Sequence, residues 1–267
     1  MKKQKISAGI AALLMTLACF LLSAGGLAYY VTNYRPNAFH AQATAVARSF
    51  ITAQAQATYQ SNLQASARAT VTANFNHTLY MQTISSQPVL NDSLSLANDP
   101  YWEQSSPPGT QCTFAKGAYH AQSSTVGHFS PCLLQTSPFS DFALQVNMTL
   151  IKGEAGGIIF HFAPTTSSAD AYLFTISTGG FYSLILIHDE QLKLLTQGYN
   201  SAIYGNPNVP NQIMVITHGQ TILLFVNDQL VDSASDNTLT SGAIGMFAYD
   251  TFKPTDVAFN NVQVWKL

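Results

Sequence analysis

Residues 142–162 read FALQVNMTLIKGEAGGIIFHF and hold two successive strand patterns of different kinds. Phe142, Leu144, Val146, Met148 and Leu150 alternate with Ala143, Gln145, Asn147 and Thr149. That period of two predicts a strand with one face buried. Gly156-Gly157 then opens a continuous apolar run from Ile158 to Phe162, the pattern of a strand buried on both faces. Downstream, Ala171–Ser177 and Phe181–His188 flank Thr178-Gly179-Gly180, a turn that tolerates positive φ. Gln212–Thr217 and Thr221–Val226 flank His218-Gly219-Gln220 in the same way. Asn227-Asp228 turns the chain into Leu230 and Val231, and Gly242–Tyr249 and Asp256–Trp265 complete the set. Turn signals at this spacing predict an antiparallel all-β sandwich of about eleven strands, with no helix inside it.

Upstream the pattern changes. Residues 37–85 are rich in Ala, Gln and Thr, and no Pro or Gly occurs between Pro36 and Pro88. Tyr59, Leu63, Ala67, Val71, Phe75 and Leu79 recur every four residues. Against a helical period of 3.6 such a stripe drifts by about 40° per step, so it spirals and makes no straight seam. The segment reads as a helical stalk; the competing reading is a disordered spacer.

The N-terminus carries Lys2, Lys3 and Lys5 before an uncharged stretch from Ile6 to Val31, long enough to cross a bilayer as a helix. Tyr29, Tyr30, Tyr34 and Arg35 follow like an interfacial belt, and the lysines place the N-terminus in the cytoplasm. A retained anchor is the expectation. Two alternatives stay open: a signal peptide cleaved near Gly26-Leu27-Ala28, and a lipoprotein signal acylated at Cys19. The expected organisation is a cytoplasmic tip and transmembrane anchor (1–35), a helical stalk (36–86) and an extracellular β-sandwich (87–267).

Composition agrees with export. Of 267 residues only 9% are charged, against roughly a quarter in ordinary soluble domains. Residues 1–91 carry +6 and no acid; residues 92–267 carry −8. The acidic C-terminal part excludes a nucleic-acid partner. Cys112 and Cys132 are the only cysteines after Cys19, and an oxidising compartment predicts a disulfide between them.

The runs GGIIFHF, AYLFTIS and GGFYSLILI, the element from Asn211 to Asn227 ending in "FVN", then SGAIGMFA and VAFNNVQVW together resemble the concanavalin A-like lectin/glucanase superfamily. Within it they are similar to laminin-G-like and 3-keto-disaccharide-hydrolase-like modules, over about residues 110–267. The anchored, stalked layout resembles bacterial surface proteins of Chloroflexi type. The resemblance implies a jelly-roll sandwich and, more weakly, a glycan ligand. The laminarinase branch carries Glu-x-Asp-x-x-Glu on one strand. This chain has no such motif, and Glu103, Glu154 and Glu190 are its only glutamates, in separate turns or linkers. No nucleophile elbow, phosphate loop or His-Glu-x-x-His motif is present either. Some relatives use calcium, but Asn260 and Asn261 stand where an Asp is common, so no cofactor is expected.

Lectin-type sites stack a sugar on an aromatic ring and fix it with polar groups. The candidates are His161 (where relatives often show Arg), Tyr172, Tyr182, His188, Tyr199 and Tyr204. His161, between Phe160 and Phe162, is expected to face opposite to them. Trp102 and Trp265 read as core plugs. The resulting expectation is a non-catalytic, membrane-anchored module that binds carbohydrate or another extracellular ligand. A hydrolase of the same fold, and a structural or sensory ectodomain without a small ligand, are the alternatives.

Overall fold

The computed structural model describes residues 35–96, 100–106, 109–124, 129–136, 138–165, 169–250 and 252–267. The expected membrane span at residues 6–31 lies outside them. Among the described residues no helix is long and apolar enough to cross a membrane.

Helix α1 (Arg35–Ser85) runs unbroken for 51 residues, roughly 77 Å at the helical rise. Pro36 falls in its first turn, where a missing N–H is tolerated. The chain divides into compact units between Asn74 and Phe75. In the first, Tyr59, Leu63 and Val71 are exposed, and the Thr52, Thr58 and Thr70 hydroxyls donate to carbonyls four residues back. The four-residue stripe is therefore no packing seam within that unit.

The second unit is the sandwich together with the last three turns of α1. Its strands are β1 (Leu90–Asp92), β2 (Thr110–Ala115), β3 (Ala118–Ser123), β4 (Phe129–Leu133), β5 (Phe142–Lys152), β6 (Ala155–Pro164) and β7 (Ala169–Ser177). They continue with β8 (Phe181–His188), β9 (Gln191–Tyr199), β10 (Pro210–His218), β11 (Thr221–Val226), β12 (Gln229–Ser235), β13 (Ala243–Tyr249) and β14 (Thr255–Lys266). One sheet has the order β12-β11-β10-β5-β14-β3-β2, with β1 also paired to β14; the other has the order β4-β13-β6-β7-β8-β9. The described set is richer than the sequence pattern suggests: β1, β3 and β9 are short or broken in alternation and carry no clear period of two.

Alternation places the core as expected. Phe142, Leu144, Val146, Met148 and Leu150 meet Ile158, Phe160, Phe174, Ile213, Val215, Leu224 and Phe259 between the sheets. The outer face of the eight-stranded sheet is apolar too, at Ala143, Met214, Ile216, Leu223, Phe225 and Trp265. The end of α1 covers that surface. Asn76, Tyr80 and Thr83, spaced by one helical turn, are buried. The Tyr80 ring stacks on Phe225 with centroids 4.6 Å apart, its hydroxyl donates to Asp228 at 2.8 Å, and Trp265 Nε1 donates to the Ser86 carbonyl at 3.1 Å. The compact unit that holds the sandwich thus begins at Phe75, inside the helix, and its first strand at Leu90.

Cys112 on β2 and Cys132 on β4 form the expected disulfide, with Cα atoms 5.7 Å apart. It joins edge strands of the two sheets and closes a loop worth about 3 kcal/mol against the unfolded chain. Trp102 is buried, with Nε1 donating to Asp92, and Trp265 is buried as well; both are core plugs as expected.

Candidate functional site

The outer face of the six-stranded sheet is built from alternate residues of β6–β9. Beside the Thr178–Gly180 turn it carries a groove of about 470 Å³ lined by Thr175, Ser177, Phe181, Tyr182, Ser183, Gln197, Gly198 and Tyr199. Thr175 and Ser177 alternate with inward Phe174 and Ile176, and Ser183 precedes inward Leu184. The register sets Ser183 opposite Gln197 and Phe181 opposite Tyr199. Two aromatic rings therefore share one end of the groove, 55% and 64% exposed, edge to face with centroids 5.8 Å apart. Hydroxyls and one amide line the floor beside them. Exposed rings beside fixed hydroxyl and amide groups can stack on an apolar sugar face and hydrogen-bond its hydroxyls.

Glycine chemistry fixes this end. Gly179 and Gly180 both have positive φ, and a Cβ on Gly180 would stand 3.0 Å from the Tyr199 ring. Gly205 comes so close that its Cβ would meet the Gly180 backbone nitrogen at 2.4 Å. Its carbonyl accepts from Gly179 N–H. The loop behind it is held by two asparagines. Asn211 accepts from Tyr204 N–H and donates to Tyr204 C=O, while Asn227 donates to Ala202 C=O and to Asn211 Oδ1. The "FVN" strand end thus braces the loop that supports the hairpin. Tyr204 itself is exposed on that loop.

Along the neighbouring edge, tyrosine–aspartate pairs close the gap between the sheets. Tyr182 donates to Asp232 Oδ2 at 2.9 Å, and Thr196 donates to the same oxygen. Gly198 leaves room for the Tyr182 phenol to cross β9. Burial and the Asp232 contact both push the Tyr182 hydroxyl pKa up. Tyr172 donates to Asp236 Oδ1 at 2.6 Å, and Lys193 Nζ lies 3.1 Å from Asp236 Oδ2. Burial alone would raise the Asp236 pKa, but donation from Tyr172, Thr238 and Lys193 overrides it and holds the carboxyl well below its usual range.

The six residues expected from sequence separate. Tyr199 stands in the groove, Tyr182 borders it but packs its ring on the core side and reaches Asp232, and Tyr204 lies on the adjoining loop. His188 sits at the far end of β8. Its Nδ1 is 3.0 Å from Asp170 Oδ2, and Asp170 also accepts from Asp189 N–H, so the pair clasps the β8–β9 turn. Tyr172 is fully buried, stacked on Phe160 at 5.1 Å. His161 departs from the expected facing. Between Phe160 and Ala163 strand β6 carries one residue more than β7, and His161 has φ of 49°. This bulge turns its side chain to the same side as Phe160, against Phe142 and Tyr172. There it is buried, with both ring nitrogens 2.9 Å from carbonyls, of Leu239 and Ser140. Burial lowers its pKa; the two carbonyls pull in the opposite direction.

Phe181, Thr175, Ser177, Ser183 and Gln197 were not among the sequence candidates. The usable signal was the apolar Phe181 directly after Gly-Gly, a large ring at a turn. The eight lining residues include no carboxylate, so the groove offers no acid–base pair of the kind that hydrolyses glycosides. Asn260, at the position considered for calcium, donates its amide to the Gly117 carbonyl at 2.9 Å. Among the described residues no group of three or more His, Cys, Asp or Glu is arranged to hold a metal.

No protein-family model and no curated protein matches the chain. Solved structures do. The carbohydrate-binding module CBM66 from Bacillus subtilis superposes with a TM-score of 0.52 at 16% identity, over 64% of this chain and 99% of the module. A Bacillus subtilis protein of unknown function with a galectin-like fold gives 0.54 at 14% identity, over 68% and 96%. A GH43 protein, BlXynB, from Bacillus licheniformis gives 0.51 at 10% identity, over 68% and 40%. At these identities the likeness is one of fold: strands β1–β14 form a galectin-like, jelly-roll β-sandwich.

Proposed function

We propose that this chain binds carbohydrate through the groove at Phe181 and Tyr199, without chemistry on the bound sugar. The exposed aromatic pair beside Thr175, Ser177, Ser183 and Gln197 carries the reading, on a fold that a carbohydrate-binding module shares. The lining bears no formal charge, which favours a neutral glycan over an acidic one. The sequence supports placing the module outside the cell: the lysines before residues 6–31 favour an anchor with a cytoplasmic N-terminus, and α1 then serves as the stalk.

The test is affinity electrophoresis or calorimetry of the full chain against a panel of neutral and acidic polysaccharides. Binding to a neutral polysaccharide is expected. Tyr199→Ala should weaken it at least tenfold, about 1.4 kcal/mol. The thermal midpoint should stay nearly unchanged, because the ring is largely in solvent. Absence of binding across the panel, or binding indifferent to Tyr199→Ala and Phe181→Ala, defeats the proposal.

A further inference from the structure

One buried ionisable group lies outside the groove. Asp250 follows β13, is 0% exposed, and neither carboxylate oxygen has a hydrogen-bond partner among the described residues. A carboxylate stripped of water and left unpaired is among the most expensive groups a protein can bury. The register brings hydroxyl residues to the same end of the sandwich. Ser123 ends β3 opposite Thr255, the first residue of β14. Ser130 on β4 lies opposite Ala248, two residues before Asp250. All three hydroxyl residues are 1% exposed, and β13 packs against β3 and β14 as well as pairing with β4.

A second carboxylate reaches the same end of the sandwich. The Glu154 backbone N–H donates to Thr255 Oγ1 at 3.3 Å, and Glu154 Oε2 accepts from the Phe252 N–H at 3.2 Å. Gly153 makes this approach possible, since any Cβ there would overlap Thr255. Lys152 and Lys253, on the flanking segments, are exposed, so neither ammonium is buried beside Asp250. The side-chain groups named here all offer oxygen; the neighbouring His120 and Asp256, on β3 and β14, are bonded to each other at 2.7 Å. Carboxylate and neutral oxygens together suit a hard divalent cation of the calcium class.

We propose that Asp250 is the charged anchor of a divalent-cation site at this end of the sandwich, with Glu154 as the second carboxylate and neutral oxygens completing the shell. Two carboxylates match the charge of one such ion. The site uses none of the groove-lining side chains, although the Glu154 carbonyl accepts from Thr178 N–H in the turn beside the groove; its role is to hold the end of β13 to the β5–β6 turn.

The experiment uses the full chain, stripped with EDTA and titrated with CaCl₂ or MgCl₂. Thermal unfolding and equilibrium dialysis are the readouts. Calcium is expected to bind at one ion per chain and to raise the midpoint by about 5 °C or more at a hundredfold excess over its Kd. Asp250→Asn should abolish that rise. In EDTA it should melt no lower than wild type, because the carboxylate oxygens it alters have no hydrogen-bond partner among the described residues. If Asp250→Asn does not fold, Glu154→Gln provides the second reading, with calcium affinity at least tenfold weaker. A wild-type midpoint identical in EDTA, calcium and magnesium, or a calcium response that survives both substitutions, overturns the proposal. Neither outcome depends on glycan binding, which Tyr199→Ala tests separately.

Discussion

The Tyr172 hydroxyl donates to Asp236 Oδ1 at 2.6 Å, joining the centre of one sheet to the chain that leaves the edge strand of the other. Tyr172 also accepts from Leu239 N–H, whose carbonyl in turn faces His161 Nδ1. A buried core histidine and a carboxylate at the sandwich edge are thus linked through one phenol and one peptide.

Tyr172→Phe should cost about 1–3 kcal/mol at neutral pH, by leaving the 6%-exposed Asp236 side chain with one partner fewer. The pH dependence has a definite sign. The Asp236 pKa lies lower folded than unfolded, so its contribution is complete above the unfolded value near 4 and is lost as the solution is acidified through the folded value. In Tyr172→Phe the folded pKa moves back toward the ordinary one, and the decline of stability below about pH 4 should flatten. Urea unfolding at pH 7 and pH 3 for both proteins measures this; equal slopes in the two would refute it.

Tyr80 offers a test at the alkaline end. Burial first, and then its bond to Asp228, push its pKa up to about 12. A raised tyrosine pKa contributes stability that is complete below the unfolded value near 10 and disappears as pH climbs through the folded one. Absorbance titration near 295 nm should show Tyr80 ionising late, and Tyr80→Phe should remove that transition while reducing the loss of stability between about pH 10 and 12. A normal midpoint near 10 for this residue would show that the end of α1 does not pack on Phe225.

Gly205→Ala probes how the scaffold shapes the groove. The added Cβ would press on the Gly179 and Gly180 backbone, which cannot yield as a side-chain tip would. A loss of about 1–3 kcal/mol is expected, accompanied by weaker polysaccharide binding as the Thr178–Gly180 turn shifts under Tyr199. Full stability and full affinity in this variant would show the hairpin to be more compliant than its packing indicates.

Much of the fold was legible because the inward face of β5 repeats every two residues, and because Gly179-Gly180 and Gly219 mark turns whose φ values are positive. The candidate site was less legible. Tyr182 and Tyr199 could be named as polar-capable aromatics. Phe181 was read only as the start of a strand after Gly179-Gly180, and His161 was expected to face away from Phe160 and Phe162. Alternation assigns faces only while the register is regular, and the single extra residue in β6 moved His161 inward. Tyr172 and Tyr182 carry their hydroxyls to Asp236 and Asp232, 64 and 50 residues away, distances over which no local pattern carries information.

Four features were legible in the sequence: the all-β sandwich, the hairpin turns, the disulfide and the helical reading of residues 37–85, the last in competition with a disordered spacer. Each follows from local rules: side-chain period, the φ freedom of glycine, cysteine count, and a long run without Pro or Gly. Tertiary packing alone sets three further features: the last turns of α1 cover the apolar outer face of β5, β10 and β11, Phe181 and Tyr199 stand side by side in solvent, and Asp250 is buried with no hydrogen-bond partner among the described residues. Those three depend on register and on which surfaces remain uncovered after the sheets pack, quantities set by contacts between segments far apart in the chain.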